Sequence, residues 1–193
     1  MNKKLVPLSR GVIAVIVSAH LAACSTTANR NSADSDSYQG TKDPFTLLAQ
    51  NYYAIGNIPA AFENARKAVE NDDNNAEAHA TMGLLLMETS DNHNAAKHFA
   101  RAKKLAPRDP FVLTSYGTYL CGNSLYGEAD KEFLAAASSP LNRQPWVALT
   151  NAGICFERYG KYAAARERMQ GALNLKADFP PARAAMKRLS AKG

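Results

Sequence analysis

Small and large apolar residues recur along most of the chain at an interval of about 34 residues. Gly83 and Gly117 are 34 residues apart, and Gly153 follows 36 residues later. Each glycine is followed twelve residues later by an alanine and, four residues after that, by a large apolar side chain; these are Ala95 and Phe99, Ala129 and Phe133, and Ala165 and Met169. Because small residues let two antiparallel helices approach while large ones fill the gap, the pattern predicts stacked helix pairs.

This interval and these positions resemble the tetratricopeptide repeat. The resemblance implies an all-α solenoid of antiparallel helix pairs. We divide it into repeats at residues 42–75, 76–109, 110–145 and 146–179, followed by a short C-terminal capping helix at 180–193 with Arg183, Lys187 and Arg188 facing water. Gly56 and Gly160 are expected to form left-handed turns between helices. A plain four-helix bundle is the alternative, but such a bundle needs no 34-residue recurrence.

The N-terminus has the order of segments found in bacterial secretion signals. A positive stretch with Lys3, Lys4 and Arg10 precedes a short apolar run over residues 11–19, too short for a transmembrane helix. Residues 1–23 are therefore predicted to be a signal peptide. Residues 21–24, Leu-Ala-Ala-Cys, resemble the lipobox of lipoproteins, which implies that Cys24 becomes the lipidated first residue. A plain signal peptide with a chance cysteine is the alternative.

Lipidation at Cys24 would define where the protein resides. In lipoproteins an aspartate after the cysteine favours retention at the inner membrane, and this chain has Ser25, so the resemblance implies outer-membrane anchoring. Residues 24–41 are polar and predicted to be a flexible, lipidated tether, on the order of 20 to 25 Å in reach. We therefore expect a lipid-anchored protein whose repeat domain faces the periplasm.

Charge and composition exclude several classes of function. The chain has a net charge of +6, and Lys3, Lys4 and Arg10 contribute three of those charges, so a processed chain is only about +3. This argues against nucleic acid as a partner. Three cysteines and four histidines form no zinc pattern, and His79, His93 and His98 do not share a helix face at metal-ligand spacing. With no catalytic motif either, we expect no enzyme activity, metal, cofactor or small-molecule substrate.

A repeat array of this kind has a concave face formed mainly by the first helix of each repeat, and partners usually bind there. Positions two, five, nine and twelve of each repeat are expected to point into it. The predicted partner-binding groove comprises Tyr53, Leu84, Met87, Phe111, Thr114, Thr118, Val147, Thr150 and Ile154. The alternative for each residue is packing between repeats. The places where related proteins carry Lys, Arg and Asn to clamp a terminal carboxylate hold other residues here, which disfavours that mode of binding.

Cys121 and Cys155 are the remaining cysteines once Cys24 is acylated. They fall on the first helices of adjacent repeats, at the twelfth and tenth positions, so they can project toward each other from neighbouring helices. The periplasm is oxidising, and an even pair of cysteines there favours a bridge. We predict a Cys121–Cys155 disulfide, with two buried free thiols as the alternative.

Two short strings narrow the resemblance. Residues 116–121 (YGTYLC) and 151–155 (NAGIC), joined by the proline-bearing stretch 140–145, resemble the third and fourth repeats of the PilF and PilW lipoproteins of type IV pilus biogenesis. That family implies an outer-membrane pilotin that helps secretin subunits reach the outer membrane and assemble. The family commonly has about six repeats, whereas four are predicted here.

The leading functional hypothesis is therefore a non-enzymatic assembly factor whose partners are a secretin subunit and, through the acyl anchor, outer-membrane lipid. The alternative is a general periplasmic scaffold that recruits a cell-wall enzyme or an outer-membrane assembly machine.

Overall fold

The computed structural model describes residues 43–192, and that part of the chain contains nine α-helices and no β-strand. The helices are α1 (Pro44–Ala54), α2 (Ile58–Asn71), α3 (Ala76–Glu88), α4 (Asn92–Leu105), α5 (Pro110–Gly122), α6 (Tyr126–Ser138), α7 (Pro145–Arg158), α8 (Tyr162–Leu175) and α9 (Pro180–Ser190). Helices α3 and α5 begin at the expected repeat boundaries, and α7 begins one residue earlier, at Pro145. The proposed signal peptide, the tether and Lys42 lie outside the described residues. Within 43–192, no helix is long and apolar enough to cross a bilayer.

Most of the helix starts are encoded by a short acidic or amide side chain. The first five helices each begin after an Asp or Asn whose side-chain oxygen accepts the backbone N–H three residues later; these caps are Asp43, Asn57, Asn75, Asp91 and Asp109. Such caps satisfy an N–H group that has no partner inside the helix. Proline at the first turn of α1, α5, α7 and α9 reinforces the boundary because its fixed φ suits a helix start.

The two helices of each repeat are joined by a left-handed turn residue. Gly56 (φ 76°) and Gly160 (φ 69°) adopt the predicted conformation. The equivalent turns of the second and third repeats are made by Ser90 (φ 62°) and Ser124 (φ 67°), where a side chain costs more than glycine would. The turn geometry is therefore common to all four repeats, although only two of them use glycine.

Close contact inside the last three pairs depends on the recurrent glycines. A Cβ atom on Gly83 would lie 2.8 Å from the ring of Phe99, and one on Gly117 would lie 2.8 Å from the ring of Phe133. In the last repeat, a Cβ on Gly153 would lie 2.8 Å from Met169 Cε. The large partners are buried completely or almost so, as the spacing of small and large residues predicts.

Successive pairs stack through their first helices. Helices α1, α3, α5, α7 and α9 each pack against the next member of that series. The second helices pack on first helices and meet one another through side-chain ion pairs, Lys103 with Glu132 and Arg168 with Asp130. The first helices therefore form a continuous inner layer, and α2, α4, α6 and α8 form the outer layer. The array is an all-α solenoid of helix pairs, as predicted.

Helix α9 covers the end of the last pair. It packs against α7 and α8 and buries Ala182, Ala185 and Leu189. Its other face carries Arg183, Lys187 and Arg188, which are exposed. The last apolar face is thus closed by a helix whose outer side is polar.

Candidate functional site

The four first helices of the repeats, α1, α3, α5 and α7, carry very little charge. Helices α1 and α5 have no charged side chain, α3 contributes Glu77 and Glu88, and α7 contributes Glu157 and Arg158. Of the thirteen lysines and arginines within the helices of residues 43–192, nine lie on α2, α4, α6 and α8, including four on α4. The inner face is therefore chiefly apolar and hydroxylic, which suits a partner segment that buries neutral side chains.

Five of the nine residues predicted to form the partner-binding groove are buried inside the protein. Their side chains are 7% exposed or less; they are Tyr53, Leu84, Met87, Thr114 and Thr150. Tyr53, Leu84 and Met87 share a core cluster, and the hydroxyls of Thr114 and Thr150 donate to carbonyls one turn back in their own helices. These five stabilise the stack and offer a partner little surface, which corrects the prediction that they face into the groove.

The other four predicted groove residues are partly exposed. They are Phe111 and Thr118 on α5, and Val147 and Ile154 on α7. Helices α5 and α7 contact each other, so the structure brings these residues onto adjoining elements of the inner layer. Partner binding by these four stays a prediction.

A tyrosine and a carboxylate meet between the first two repeats, and the sequence patterns did not indicate this contact. Tyr53 Oη on α1 donates to Glu88 Oε1 on α3 at 3.4 Å. Burial is the main cause that raises the pKa of both groups, and the Glu88 charge raises that of Tyr53 further. The available signal was that Glu88 follows directly after the position equivalent to Tyr53 in the next first helix, because the two residues are 35 positions apart and the repeat is 34 residues long. Glu88 can accept a hydrogen bond from a partner in a site that is partly dehydrated.

The other two carboxylates of the inner layer are already engaged by protein groups. Glu77 Oε2 accepts from Gln50 Nε2 at 3.2 Å, which connects α3 to α1. Glu157 accepts from Arg188 at 2.9 and 3.2 Å and lies 3.7 Å from Lys192 Nζ, so it ties α7 to the C-terminal segment. These groups act first as contacts between neighbouring elements.

The predicted disulfide is present. Cys121 on α5 and Cys155 on α7 are bonded, with their Cα atoms 5.9 Å apart. Both cysteines are at least 94% buried, and Tyr159 Oη donates to the Cys121 carbonyl at 2.6 Å next to the bridge. The disulfide therefore fixes the two helices that carry Phe111, Thr118, Val147 and Ile154.

Two of the three histidines that share no helix face at metal-ligand spacing contact each other from different helices. His79 Nδ1 on α3 lies 3.0 Å from His98 Nδ1 on α4, and His93 is exposed. Spacing within a single helix does not reveal this contact, because the two residues lie on different helices. Across residues 43–192, no group of three or more candidate metal ligands is found. The predicted lipidation residue, Cys24, lies outside the described part of the chain.

Comparison with known proteins shows which proteins this chain resembles in sequence. No protein-family model matches the chain. The chain is 26% identical to the type IV pilus assembly protein PilF of Pseudomonas aeruginosa over 172 residues, which are 89% of this chain and 68% of that protein. It is also 26% identical to an uncharacterized protein of Haemophilus influenzae over 69% of this chain and 72% of that one.

Two solved structures extend the relationship to the fold. The crystal structure of PilW, described as a widely conserved type IV pilus biogenesis factor, matches with a TM-score of 0.65 and 25% identity over 76% of this chain and 67% of that one. The structure of Pseudomonas aeruginosa PilF matches with a TM-score of 0.66 and 27% identity over 78% and 68% of the two chains. Sequence and fold together show that the chain is homologous to PilF and shares the architecture of the PilF and PilW tetratricopeptide-repeat proteins of type IV pilus biogenesis.

Proposed function

We propose that the protein is a non-enzymatic assembly factor of the type IV pilus that binds a secretin subunit on its inner face. A lipid on Cys24 would hold the complex at the outer membrane with the repeat domain in the periplasm. The mechanism is binding combined with localisation, and it requires no chemistry beyond the acylation of the anchor. The relationship to PilF over 89% of the chain is the observation that carries the proposal.

The inner face supports a role in binding protein segments. It presents partly exposed apolar and hydroxyl side chains on α5 and α7, and the Cys121–Cys155 disulfide holds those helices together. A surface that is fixed before the partner arrives loses less conformational entropy on binding. The arrangement therefore favours capture of an extended or helical partner segment over catalysis.

A general periplasmic scaffold is the second candidate. The chain spans about two thirds of the length of the PilF and PilW proteins that it matches, so the match leaves room for a different partner. A scaffold that recruits a cell-wall enzyme or an outer-membrane assembly machine would use the same inner face. The two candidates differ in the partner that is retained.

Capture of the secretin subunit encoded by the same organism tests the leading proposal. We expect purified full-length protein to retain that subunit. Phe111→Glu should weaken retention at least tenfold, because it places a charge in a contact that loses water on binding, which can cost several kcal/mol. Leu141→Glu is the matched control: Leu141 is 72% exposed on the connection between α6 and α7, so it should leave retention unchanged.

Circular dichroism should show that both variants keep their helical content. Failure of the unsubstituted protein to retain the secretin would contradict the secretin proposal. Equal retention by Phe111→Glu and the unsubstituted protein would instead contradict binding through the inner face.

A further inference from the structure

The contacts of His79 and His98 determine which nitrogen of each ring carries hydrogen. His79 is 4% exposed, and its Nε2 atom lies 3.0 Å from the backbone carbonyl oxygen of Asp73 and 3.4 Å from Asp73 Oδ1. A carbonyl oxygen can only accept, so His79 Nε2 carries hydrogen and donates to it. In the neutral ring His79 Nδ1 is then an acceptor.

The second histidine must therefore supply the donor. His98 Nδ1 lies 3.0 Å from His79 Nδ1, which is a normal hydrogen-bond distance. Since His79 Nδ1 accepts, His98 Nδ1 carries the hydrogen between the two rings. The chain of donors runs from His98 to His79 and from His79 to Asp73.

This chain of hydrogen bonds spans the junction of the first two repeats. Asp73 lies on the connection between α2, in the first repeat, and α3, in the second, while His98 lies on α4. Arg101, also on α4, donates to the same connection: to Asp73 Oδ2 at 2.8 Å, to the Asp73 carbonyl at 3.3 Å and to Asn74 Oδ1 at 3.0 Å. We call these four residues, Asp73, His79, His98 and Arg101, the histidine joint.

The histidine joint accepts fewer protons than its residues do in an unfolded chain. A proton added to His79 Nδ1 would place two N–H groups against each other at 3.0 Å, with no acceptor between them. In an unfolded chain both imidazoles take up a proton independently near their ordinary pKa. The packed joint therefore resists full protonation, and acid favours its opening.

We propose that the histidine joint is a pH-sensitive lock that fixes the first repeat against the second near neutral pH and loosens in acid. The charged groups that face His98 are His79 on α3 and Asp73 on the α2–α3 connection, and Arg101 on α4 neutralises Asp73. The lock rests on this geometry and does not depend on the proposed role in pilus assembly.

The direction of the pH effect follows from the proton that the two Nδ1 atoms exclude, and the environment of His98 acts in the same direction. Burial, and then the charge of His79, lower the pKa of His98 below its ordinary value of 6.5, against a smaller opposing effect of Asp73. A group whose pKa is lowered by folding gives its full stabilisation above the unfolded pKa. The stabilisation is then lost as pH falls from about 6.5 through the lowered pKa of the folded protein. For each proton that the unfolded chain binds and the folded protein does not, the folding constant falls by up to about tenfold per pH unit as the pH is lowered.

Substitution of His98 provides the first test. Urea unfolding of the full chain between pH 5 and pH 8 should show a folding constant that falls below pH 6.5. His98→Asn places an amide near the position of Nδ1 without a titrating group, so it should flatten this fall while keeping most of the stability at pH 8. His93→Asn is the matched control, because His93 is exposed on the same helix, and it should keep the unsubstituted pH dependence. Glu88, the carboxylate whose pKa is raised, is present in all three proteins and cancels in the comparison.

Nitrogen chemical shifts of the imidazoles in the unsubstituted full chain provide a second test that needs no variant. We expect hydrogen on Nε2 of His79 and on Nδ1 of His98 at pH 7.5, and a pKa below 6.5 for His98. The proposal is overturned if His98→Asn retains the full pH dependence. It is equally overturned if His98 titrates in the folded protein with an ordinary pKa.

Discussion

At the scale of single residues, close contacts join a glycine of a first helix to a large side chain of the paired second helix in the last three repeats. Gly83 faces Phe99, which is fully buried, at a distance where no Cβ atom fits without movement of the ring. Because protein interiors are close-packed, a ring enclosed on all sides has little room to yield. The absence of a side chain at Gly83 is therefore a packing requirement and not a demand for backbone freedom.

We predict that Gly83→Ala lowers the free energy of unfolding by about 1 to 3 kcal/mol, the range for an overpacked core. The added methyl group would lie 2.8 Å from two carbon atoms of the Phe99 ring, which outweighs the higher helix propensity of alanine. Urea unfolding monitored by circular dichroism measures the change.

Gly127→Ala is the matched control for this prediction. Gly127 lies in α6, and a Cβ atom there would meet nothing within 4 Å, so the substitution should stabilise the protein by up to about 1 kcal/mol. Equal effects at positions 83 and 127 would show that the contact with Phe99 does not limit packing.

Residue-level burial was only partly predictable from the sequence. The repeat register placed Leu84 and Phe111 on first helices correctly, yet Leu84 is buried and Phe111 is partly exposed. Register fixes the direction of a side chain, whereas its exposure also depends on the bulk of residues from neighbouring helices. Tyr53, from α1, shares a cluster with Leu84, and this neighbourhood cannot be read from either helix alone.

At the scale of elements, the disulfide is a covalent constraint between two first helices. It joins α5 to α7 across 34 residues of sequence, in addition to the packing of α6 between them. We predict that Cys121→Ala combined with Cys155→Ala lowers the free energy of unfolding by up to roughly 3 to 4 kcal/mol, as the chain-entropy account of loop closure gives. Urea unfolding without reductant measures the loss.

Reductant supplies the internal control for the disulfide. It should lower the stability of the unsubstituted protein toward that of the double variant and leave the double variant unchanged. Intact mass should rise by two hydrogens when the unsubstituted protein is reduced. Two thiols that react without reductant would be incompatible with this prediction.

The elements could be predicted from sequence to different degrees. Helix pairs were predictable because the 34-residue recurrence and the turns at Gly56 and Gly160 are local patterns. The histidine joint was not, because His79 and His98 meet only when α3 and α4 fold back on each other in one particular register. Contacts of this kind depend on the relative rotation of two helices, which periodicity leaves open.

At the scale of the whole molecule, charge and apolar surface are separated between the two layers. The outer helices hold several ion pairs, such as Arg168 with Asp130 between α8 and α6, whereas α1, α3, α5 and α7 carry few charges. The outer layer can therefore remain hydrated while the inner layer loses water to a partner. This division is consistent with a protein that binds on one face and is held in place by a separate segment.

The proposed division between binding and anchoring gives a prediction about Cys24. A single acyl chain binds a bilayer only marginally, and two or more give a stable anchor, so loss of the acylated cysteine should abolish retention. Cys24→Ala should appear in the fraction released by a membrane wash, whereas the unsubstituted protein and the neighbouring control Ser25→Ala should stay with the membrane and incorporate labelled fatty acid. Released Cys24→Ala protein should still capture the secretin in solution, because the inner face lies within residues 43–192. Absence of label from the unsubstituted protein would refute the lipid anchor, and loss of capture by the released variant would refute the separation of the two roles.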